Sequence, residues 1–315
     1  MEKKVCVIVP FRKISLKFKK CIESILDLNY SNFEVILVND GNESIQESFL
    51  KDLEDKVRIL NSYKKGPSFA RNLAAKNTCA EFLAFTDSDC IVSKDWLKEL
   101  LKGIESFPEV VGCGGKQEIP EDATPFEKKI FLFMKKVSFI TDYIKKGTHK
   151  KLIETHHNPS CNVMYKRDVF LKEGGFLEGL WPGEDVELDY RLRKKGYKLI
   201  FNPKAVVYHY RPQSLKDFLK MMYRYGRSAG FLTKKYGFFR KIQIIPLISL
   251  FFLILFFLSI IFNFVLFFII LCSIILFSLL IYFKFDFTLF LLAFLSYIFW
   301  NCGFFKEIFL IKRRF

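Results

Sequence analysis

The sequence predicts an α/β domain, in which a mostly parallel sheet is flanked by helices, followed by C-terminal transmembrane helices. Strand-like and helix-like segments alternate through the first part of the 315-residue chain. Acidic turns at Asp40 and at Asp87–Asp89 each follow a strand-like segment, where ligands of parallel sheets bind. An almost uninterrupted apolar run extends from 242 to 283. These observations predict an α/β domain at residues 1–235 and a membrane domain at residues 236–315.

The elements of the first domain follow from local residue patterns. The β-branched run Val5–Pro10 predicts the first strand, and apolar spacing over Leu16–Leu28 predicts an amphipathic helix. The other predicted strands are Phe33–Val38, Val57–Leu60, Glu81–Thr86, Val110–Gly115, Cys161–Tyr165 and Ala205–His209. The other predicted helices are Ser68–Asn77, Trp96–Ile104, Pro125–Lys146, Asp168–Lys172 and Glu184–Lys195.

The apolar C-terminal region is long enough for two membrane spans, since about 20 helical residues cross a bilayer. We predict spans at about 243–262 and 264–283, with a turn near Asn263. A third apolar segment at 287–305 is either a span or an interfacial helix. If it also spanned, the basic residues 312–314 would lie opposite those that precede the first span, which the positive-inside tendency disfavours.

Charge and cysteine usage bear on partners and compartment. The net charge of +16 suggests nucleic-acid binding as one possible function. The basic residues are dispersed along the chain, however, so we expect membrane lipids and no nucleic acid as partners. Eight cysteines without a Cys-x-x-Cys pair predict buried thiols rather than disulfides or zinc ligands. The apolar run after Lys4 is too short for a secretory signal. We therefore expect a multi-pass protein of the cell membrane with a cytoplasmic first domain.

The clearest chemical motif is Asp87-Ser88-Asp89. Two carboxylates separated by one residue at a strand end suit a divalent cation, Mn²⁺ or Mg²⁺, that also binds a diphosphate. The alternative is a helix N-cap at Asp89 or Ser93. An isolated Asp-x-Asp is a weak signal, so its interpretation depends on the surrounding motifs.

Four further motifs accompany this one in a set order along the chain. They are Val7-Ile-Val-Pro10, Val38-Asn-Asp-Gly41, Gly66-Pro-Ser-Phe-Ala-Arg-Asn-Leu-Ala74 and Gly183-Glu-Asp-Val-Glu-Leu-Asp-Tyr-Arg-Leu-Arg193. Over about the first 230 residues the set resembles family 2 glycosyltransferases, which have the nucleotide-diphospho-sugar transferase (GT-A) fold. The resemblance implies an enzyme that moves a sugar from a UDP- or GDP-sugar donor with the help of a divalent cation.

The resemblance implies donor-binding roles for Asp40, Arg71 and Asp87. Asp40 matches the aspartate that contacts the nucleotide base, Arg71 an arginine of the nucleotide-binding helix, and Asp87 the residue on the ribose side. Two simpler alternatives stay open. Asp40 can hold a turn before Gly41, and Arg71 can form a surface ion pair.

The resemblance also implies the reacting end of the site. Asp89 and His209 match metal ligands, and Asp185 matches the general base that deprotonates the acceptor hydroxyl. Glu184 and Trp181 are candidates for acceptor or loop contacts. Asp185 can instead be a helix N-terminal carboxylate, and His209 a hydrogen-bonded core histidine. One base with in-line displacement predicts inversion at the sugar carbon.

Departures from the family pattern narrow the expected reaction. Phe11-Arg12-Lys13 and Asn39 differ from the usual residues, which leaves the nucleotide base open. Processive members carry Gln-x-x-Arg-Trp before their pore helices, whereas Met221–Arg227 lacks that Gln and Trp, so single-sugar transfer is favoured. An anchored domain favours a lipid-linked glycan or glycolipid acceptor. The alternatives are a nucleotidyltransferase, which usually has a glycine-rich loop after the first strand, and a catalytically silent membrane scaffold.

Overall fold

The computed structural model describes residues 2–41, 57–141, 151–263 and 265–310. Contacts divide the chain into two compact units. The first contains residues 1–123 and 142–210, and the second contains residues 124–141 and 211–314. The predicted domain boundary at 235 stays a prediction, and the contacts group residues 211–235 with the apolar C-terminal helices instead.

The first unit is built on one sheet, to which the described residues contribute nine strands in the order β3-β2-β1-β4-β8-β6-β9-β5, with β7 beside β9. The predicted α/β class is confirmed. The sheet is mixed, because β1 to β4 pair in parallel whereas β8 runs antiparallel between β4 and β6. The strands are β1 Val5–Phe11, β2 Phe33–Asn39, β3 Val57–Asn61, β4 Phe82–Phe85, β5 Cys90–Val92, β6 Val110–Glu118, β7 Ile153–Glu154, β8 Val163–Lys166 and β9 Lys198–His209.

Helices cover both faces of this sheet. Alternate residues of β1 enter different cores, because successive strand side chains point to opposite faces. Val7 packs in the core that includes α1 and α3, and Ile8 in the core that includes α2, α6 and α7. The helices of this unit are α1 Leu16–Leu26, α2 Pro67–Lys76, α3 Trp96–Ile104, α6 Arg167–Lys172 and α7 Glu184–Lys194. Burial on both faces explains why every residue of β1 is buried.

Several elements differ from the sequence-based expectation, and strand β7 and the helix Leu215–Tyr236 were not predicted. The last strand begins at Lys198 rather than Ala205, because residues 203–205 bulge out between Asn202 and Val206 while both flanks pair with β6. Pro203 therefore does not end the strand. The short strand β5, directly after Asp89, was not predicted. The predicted helix Pro125–Lys146 ends at Lys136 and is followed by a short helix, and residues 142–150 lie outside the described residues.

The second unit is entirely helical in its described part. Its helices are α4 Pro125–Lys136, α5 Ser138–Thr141, α8 Leu215–Tyr236, α9 Ile245–Ile261, α10 Val265–Tyr282 and α11 Phe287–Phe309, with a 3₁₀ helix at Lys241–Ile244. Three segments, Lys241–Ile261, α10 and α11, are long and apolar enough to cross a membrane. The first two predicted spans coincide with α9 and α10, which meet at Asn263 with its positive φ of 57°.

Helix α11 differs from α9 and α10 because more of its apolar surface is covered by protein. It packs backbone to backbone against α8: a Cβ on Gly226 would lie 1.9 Å from Trp300 O, and one on Gly303 would lie 2.1 Å from Tyr223 O. Glycine is required at both positions for this approach. The buried Glu307 carboxylate accepts two hydrogen bonds, of 2.8 and 2.9 Å, from the guanidinium of Arg227 on α8.

Candidate active site

A buried arginine joins two carboxylates at the carboxyl edge of the sheet. Arg71 lies on α2 and is 1% exposed. Its Nη2 donates to Asp87 Oδ1, after β4, at 2.5 Å, and its Nη1 donates to Glu184 Oε1, at the start of α7, at 2.7 Å. Ser68 Oγ holds α2 in place by donating to Leu180 O at 2.6 Å. The alternative of a surface ion pair at Arg71 is therefore wrong.

The charges of this group shift one another's pKa. Burial lowers the pKa of Arg71, but the negative charges of Asp87 and Glu184 outweigh that effect and hold it above its usual value. Burial and the neighbouring Asp185 raise the pKa of Glu184, and Arg71 opposes that rise. The guanidinium is therefore charged at every physiological pH and offsets the repulsion between the carboxylates.

Asp185 belongs to a second hydrogen-bonded group that starts beside Glu184. Its Oδ2 accepts a 2.9 Å hydrogen bond from the backbone N–H of Ser160, whose Oγ lies 3.1 Å from Glu184 Oε1. His157 Nε2 stands 4.0 Å from Asp185 Oδ2, and His157 Nδ1 lies 3.1 Å from Asp189 Oδ2. Asp185 and Asp189 are four residues apart on α7 and thus share one helix face.

Asp189 is the buried end of that group. Its carboxylate accepts hydrogen bonds from Asn158 N at 2.7 Å and from Tyr165 Oη at 2.7 Å. Burial and the charge of Asp189 raise the pKa of Tyr165, which keeps its hydroxyl a donor. The contacts from Asp189 through His157 to Asp185 thus lead from the buried core to the proposed base. Sequence reasoning missed Ser160, His157 and Asp189, although the polar run from 155 to 162 before an apolar strand was an available signal.

The metal-ligand candidates lie at the end of the short ladder between β5 and β9. Cys90 pairs with His209, and Tyr210 N donates to Asp89 O at 3.1 Å, so Asp89 and His209 are neighbours. Asp89 Oδ1 lies 3.4 Å from His209 Nε2. One ligand atom each from Asp87, Asp89 and His209 lie within 4.8 Å of one another. Two carboxylates and an imidazole at this spacing fit a Mn²⁺ or Mg²⁺ ion.

Asp40 belongs to a different set of contacts. It is 2% exposed, and its Oδ2 accepts from Arg12 Nη2 at 2.9 Å, while its Oδ1 accepts from Ser62 Oγ at 2.8 Å and from Gly66 N at 3.0 Å. The turn hydrogen bond to Gly41 N comes from Asn39 Oδ1 at 2.9 Å. The backbone N–H that an Asp40 turn would bind belongs to Asn42, which lies outside the described residues, so that alternative stays open. Asp40 links β2 to the start of α2.

Trp181 lies in the loop before α7 and is 47% exposed. The preceding Leu180 is anchored by Ser68, so the loop is tied to the helix that carries Arg71. The predicted acceptor or loop contact of Trp181 stays a prediction.

The expectation that the cysteines are buried holds for five of the eight, namely Cys6, Cys21, Cys90, Cys113 and Cys161. It is wrong for Cys79 and Cys302, which are exposed.

The relatives found by comparison with known proteins include the following two from archaea. The glucosyl-dolichyl phosphate glucuronosyltransferase of Haloferax volcanii is 26% identical over 204 residues. The matched region is 61% of this chain and 64% of that relative, so this chain spans less than two thirds of the relative's length. The dolichyl N-acetyl-alpha-D-glucosaminyl phosphate 3-beta-D-2,3-diacetamido-2,3-dideoxy-beta-D-glucuronosyltransferase of Methanococcus voltae is 24% identical over 272 residues, 79% of this chain and 80% of that relative.

The fold matches solved glycosyltransferases, and the family is shown by the sequence. The mannosyltransferase PcManGT from Pyrobaculum calidifontis, solved with GDP-Man and Mn²⁺, matches with a TM-score of 0.55 at 17% sequence identity. The matched region covers 75% of this chain and 64% of the PcManGT chain. Residues 6–174 match the model of glycosyl transferase family 2. Because that match covers more than half of the 315 residues, the chain belongs to glycosyl transferase family 2 and is a glycosyltransferase of the GT-A fold.

Proposed function

We propose that this glycosyltransferase moves one sugar, with inversion, from a UDP- or GDP-sugar to a hydroxyl of a lipid-linked glycan or glycolipid. Asp185 is the proposed base, and Asp87, Asp89 and His209 are the proposed ligands of Mn²⁺ or Mg²⁺. The observation that carries the proposal is the continuous set of contacts from Asp185, through Ser160, Glu184 and Arg71, to Asp87.

The proposed base is oriented by the backbone. The Ser160 N–H donates a 2.9 Å hydrogen bond to Asp185 Oδ2 and so fixes the orientation of the carboxylate. In the reaction, Asp185 accepts the proton of the acceptor hydroxyl while that oxygen forms a bond to the sugar C1. The bond between C1 and the donor diphosphate breaks on the opposite side, and the nucleoside diphosphate leaves. A single displacement of this kind inverts the configuration at C1.

The proposed donor site works by neutralising the negative charge of the leaving diphosphate. When bound, a divalent cation supplies charge neutralisation to the leaving diphosphate. Arg71 holds Asp87 in one position through its 2.5 Å hydrogen bond, and Asp89 is 47% exposed on its side chain and so accessible to a ligand. PcManGT, solved with GDP-Man and Mn²⁺, supports a nucleotide-sugar donor and a divalent cation for this chain as well.

The lipid-linked acceptor is inferred from two observations. The two archaeal relatives described above are named for sugars linked to dolichyl phosphate. The chain also has three helices with the length and apolarity of membrane spans, which fits an enzyme that acts at a bilayer. We propose that α9 and α10 span. Helix α11 packs tightly against α8, which carries Lys220, Arg224 and Arg227, so we place α11 at the interface.

The decisive experiment compares Asp185→Asn with the unchanged enzyme. Asparagine keeps the shape and an oxygen that can accept from Ser160 N, but it cannot take up a proton at neutral pH. We expect sugar transfer to fall by about 10²–10⁴-fold, the usual contribution of a general base, while nucleotide diphosphate binding in the presence of Mn²⁺ stays within about twofold.

Two arms complete that experiment. Asp168→Asn is the matched control, because Asp168 is an exposed aspartate in the first turn of α6, and it should transfer at the unchanged rate. Excess chelator should abolish transfer in the unchanged enzyme. Near-normal transfer by Asp185→Asn would remove Asp185 as the base, lost nucleotide binding would make it part of the donor site, and full turnover in chelator would remove the metal role.

A further inference from the structure

Two buried thiols lie beside the imidazole of His209. Cys90 opens β5, and its backbone pairs with His209 of β9, so the two side chains project to the same face of the ladder. Cys161 comes from the polar segment before β8. The sulfur atoms of Cys90 and Cys161 and one ring nitrogen of His209 all lie within 4.8 Å of one another.

The backbone that carries these three groups is held by hydrogen bonds of its own. Cys161 O accepts from Thr86 Oγ1 at 3.0 Å, and the next residue, Asn162, accepts from Trp96 Nε1 at 2.8 Å. His209 Nδ1 lies 3.4 Å from Gln117 Oε1. If Nδ1 carries the proton, the Nε2 lone pair points toward a cation, which is the arrangement that outer hydrogen bonds give to metal-binding histidines.

The spacing suits a small tetrahedral ion. With Zn–S bonds of about 2.3 Å and Zn–N bonds of about 2.0–2.1 Å, neighbouring ligand atoms stand about 3.5–3.8 Å apart. Atoms already within 4.8 Å reach that geometry by moving about 1 Å. Two sulfurs and an imidazole favour zinc-like cations over Mg²⁺.

We propose that Cys90, Cys161 and His209 form a second metal site for a thiophilic divalent cation such as Zn²⁺, and that its occupation takes His209 from the Asp87–Asp89 site. One imidazole nitrogen cannot bind two cations, so Zn²⁺ and Mn²⁺ exclude each other. Zn²⁺ is therefore an inhibitor of the enzyme. The thiol site stands on its three ligands, and only the competition rests on the proposed function.

Cobalt tests the thiol site without any activity measurement, because Co²⁺ bound to thiolates gives a charge-transfer absorption in the near ultraviolet. The protein is the detergent-solubilised full chain with Cys79→Ser and Cys302→Ser, which removes the exposed thiols. We expect the absorption to saturate at one equivalent. Cys90→Ser and Cys161→Ser should each weaken binding by at least about 10–100-fold, the loss that changes to outer partners alone cause.

Cys6→Ser is the matched control, since Cys6 is a buried thiol of β1, and it should leave the cobalt titration unchanged. Absence of the thiolate absorption in the parent protein, or its survival in the Cys90→Ser/Cys161→Ser variant, would overturn the thiol site. Thermal melts of each variant show that the fold is intact. Zn²⁺ should raise the melting temperature of the parent protein and of Cys6→Ser, but not that of the Cys90→Ser/Cys161→Ser variant.

The competition is measured from bound Mn²⁺ by electron paramagnetic resonance. One equivalent of Zn²⁺ should release Mn²⁺ from the parent protein but not from the Cys90→Ser/Cys161→Ser variant. Mn²⁺ that stays bound while the cobalt absorption is present would overturn the shared role of His209. Failure of Mn²⁺ to bind before any Zn²⁺ is added contradicts the proposed function instead, and the cobalt titration still decides the thiol site.

Discussion

Replacing Arg71 with methionine should destabilise the first unit strongly. The substitution keeps an unbranched side chain but removes a guanidinium that lies 2.7 Å from Glu184 Oε1 and 2.5 Å from Asp87 Oδ1. Because Glu184 is buried, it would lose its charge partner without gaining water, and breaking such a pair costs about 3–5 kcal/mol. At about 2–4 °C per kcal/mol for a domain of this size, the melting temperature should fall by roughly 6–20 °C.

The same substitution has a pH signature. Burial and Asp185 already raise the pKa of Glu184 against the opposing charge of Arg71, so the pKa should rise further in Arg71→Met. A carboxyl group with a raised folded-state pKa destabilises the fold at any pH at which the unfolded chain would ionise it. The penalty is absent below the unfolded-state pKa of about 4.3, grows as the pH rises from there to the folded-state pKa, and is constant above it. The deficit in melting temperature should therefore be larger at pH 8 than at pH 5.

The assay is a thermal melt in detergent, followed by intrinsic fluorescence at one scan rate, because unfolding of such proteins is often irreversible. Arg71→Met/Glu184→Gln should recover part of the loss, since it removes the unpaired charge. Arg58→Met, at an exposed position of β3, is the control and should melt within about 2 °C of the unchanged protein. A melting temperature of Arg71→Met equal to that of the control at pH 8 would refute the reasoning.

Three further predictions concern other parts of the chain. His157→Gln breaks the link from Asp189 to Asp185, so transfer should fall by about tenfold, less than the roughly 10²–10⁴-fold contribution of a general base itself. Nucleotide affinity should be unchanged, and reduced affinity would contradict this. Gly303→Val forces a Cβ against Tyr223 O and should cost about 1–3 kcal/mol in a detergent melt, whereas Cys302→Val, exposed on the same helix, should not. A membrane-impermeant maleimide should label Cys79 only after cells are permeabilised; labelling of intact cells would refute a cytoplasmic catalytic unit.

Sequence reasoning located the residues that stand at strand ends. Asp87 and Asp89 follow an apolar strand directly, and Glu184 opens a helix, so their placement depends on local pattern and on one rule about parallel sheets. To predict that Asp87 and Glu184 are linked, one also had to know that Arg71 lies between them, and the candidate role of Arg71 came from the resemblance. The prediction failed where the position of a residue depends on an antiparallel pairing that no local pattern reveals.

The polar segment before β8 is the main example. Ser160 and His157 reach Asp185 because β8 inserts antiparallel between β4 and β6, and this order is a long-range choice of the sheet. The same insertion places Cys161 beside Cys90, two cysteines whose distance in sequence suggested no pair. The pairing of α8 with α11 was hidden for a similar reason, since Gly226 and Gly303 match no distinctive local motif.

Arg71 explains how one site can hold several carboxylates close together. Arg71 contacts Glu184 and Asp87, and Asp185 follows Glu184 in the chain. In their proposed roles both Asp185 and Asp87 must be ionised, Asp185 to accept a proton and Asp87 to bind a cation. A guanidinium can donate to both sides at once in a planar fork, which a lysine ammonium, a point charge, cannot reproduce. Its two hydrogen bonds, to Glu184 and to Asp87, set the separation between the two ends of the site. The buried arginine thus positions the acidic groups between which donor and acceptor are proposed to react.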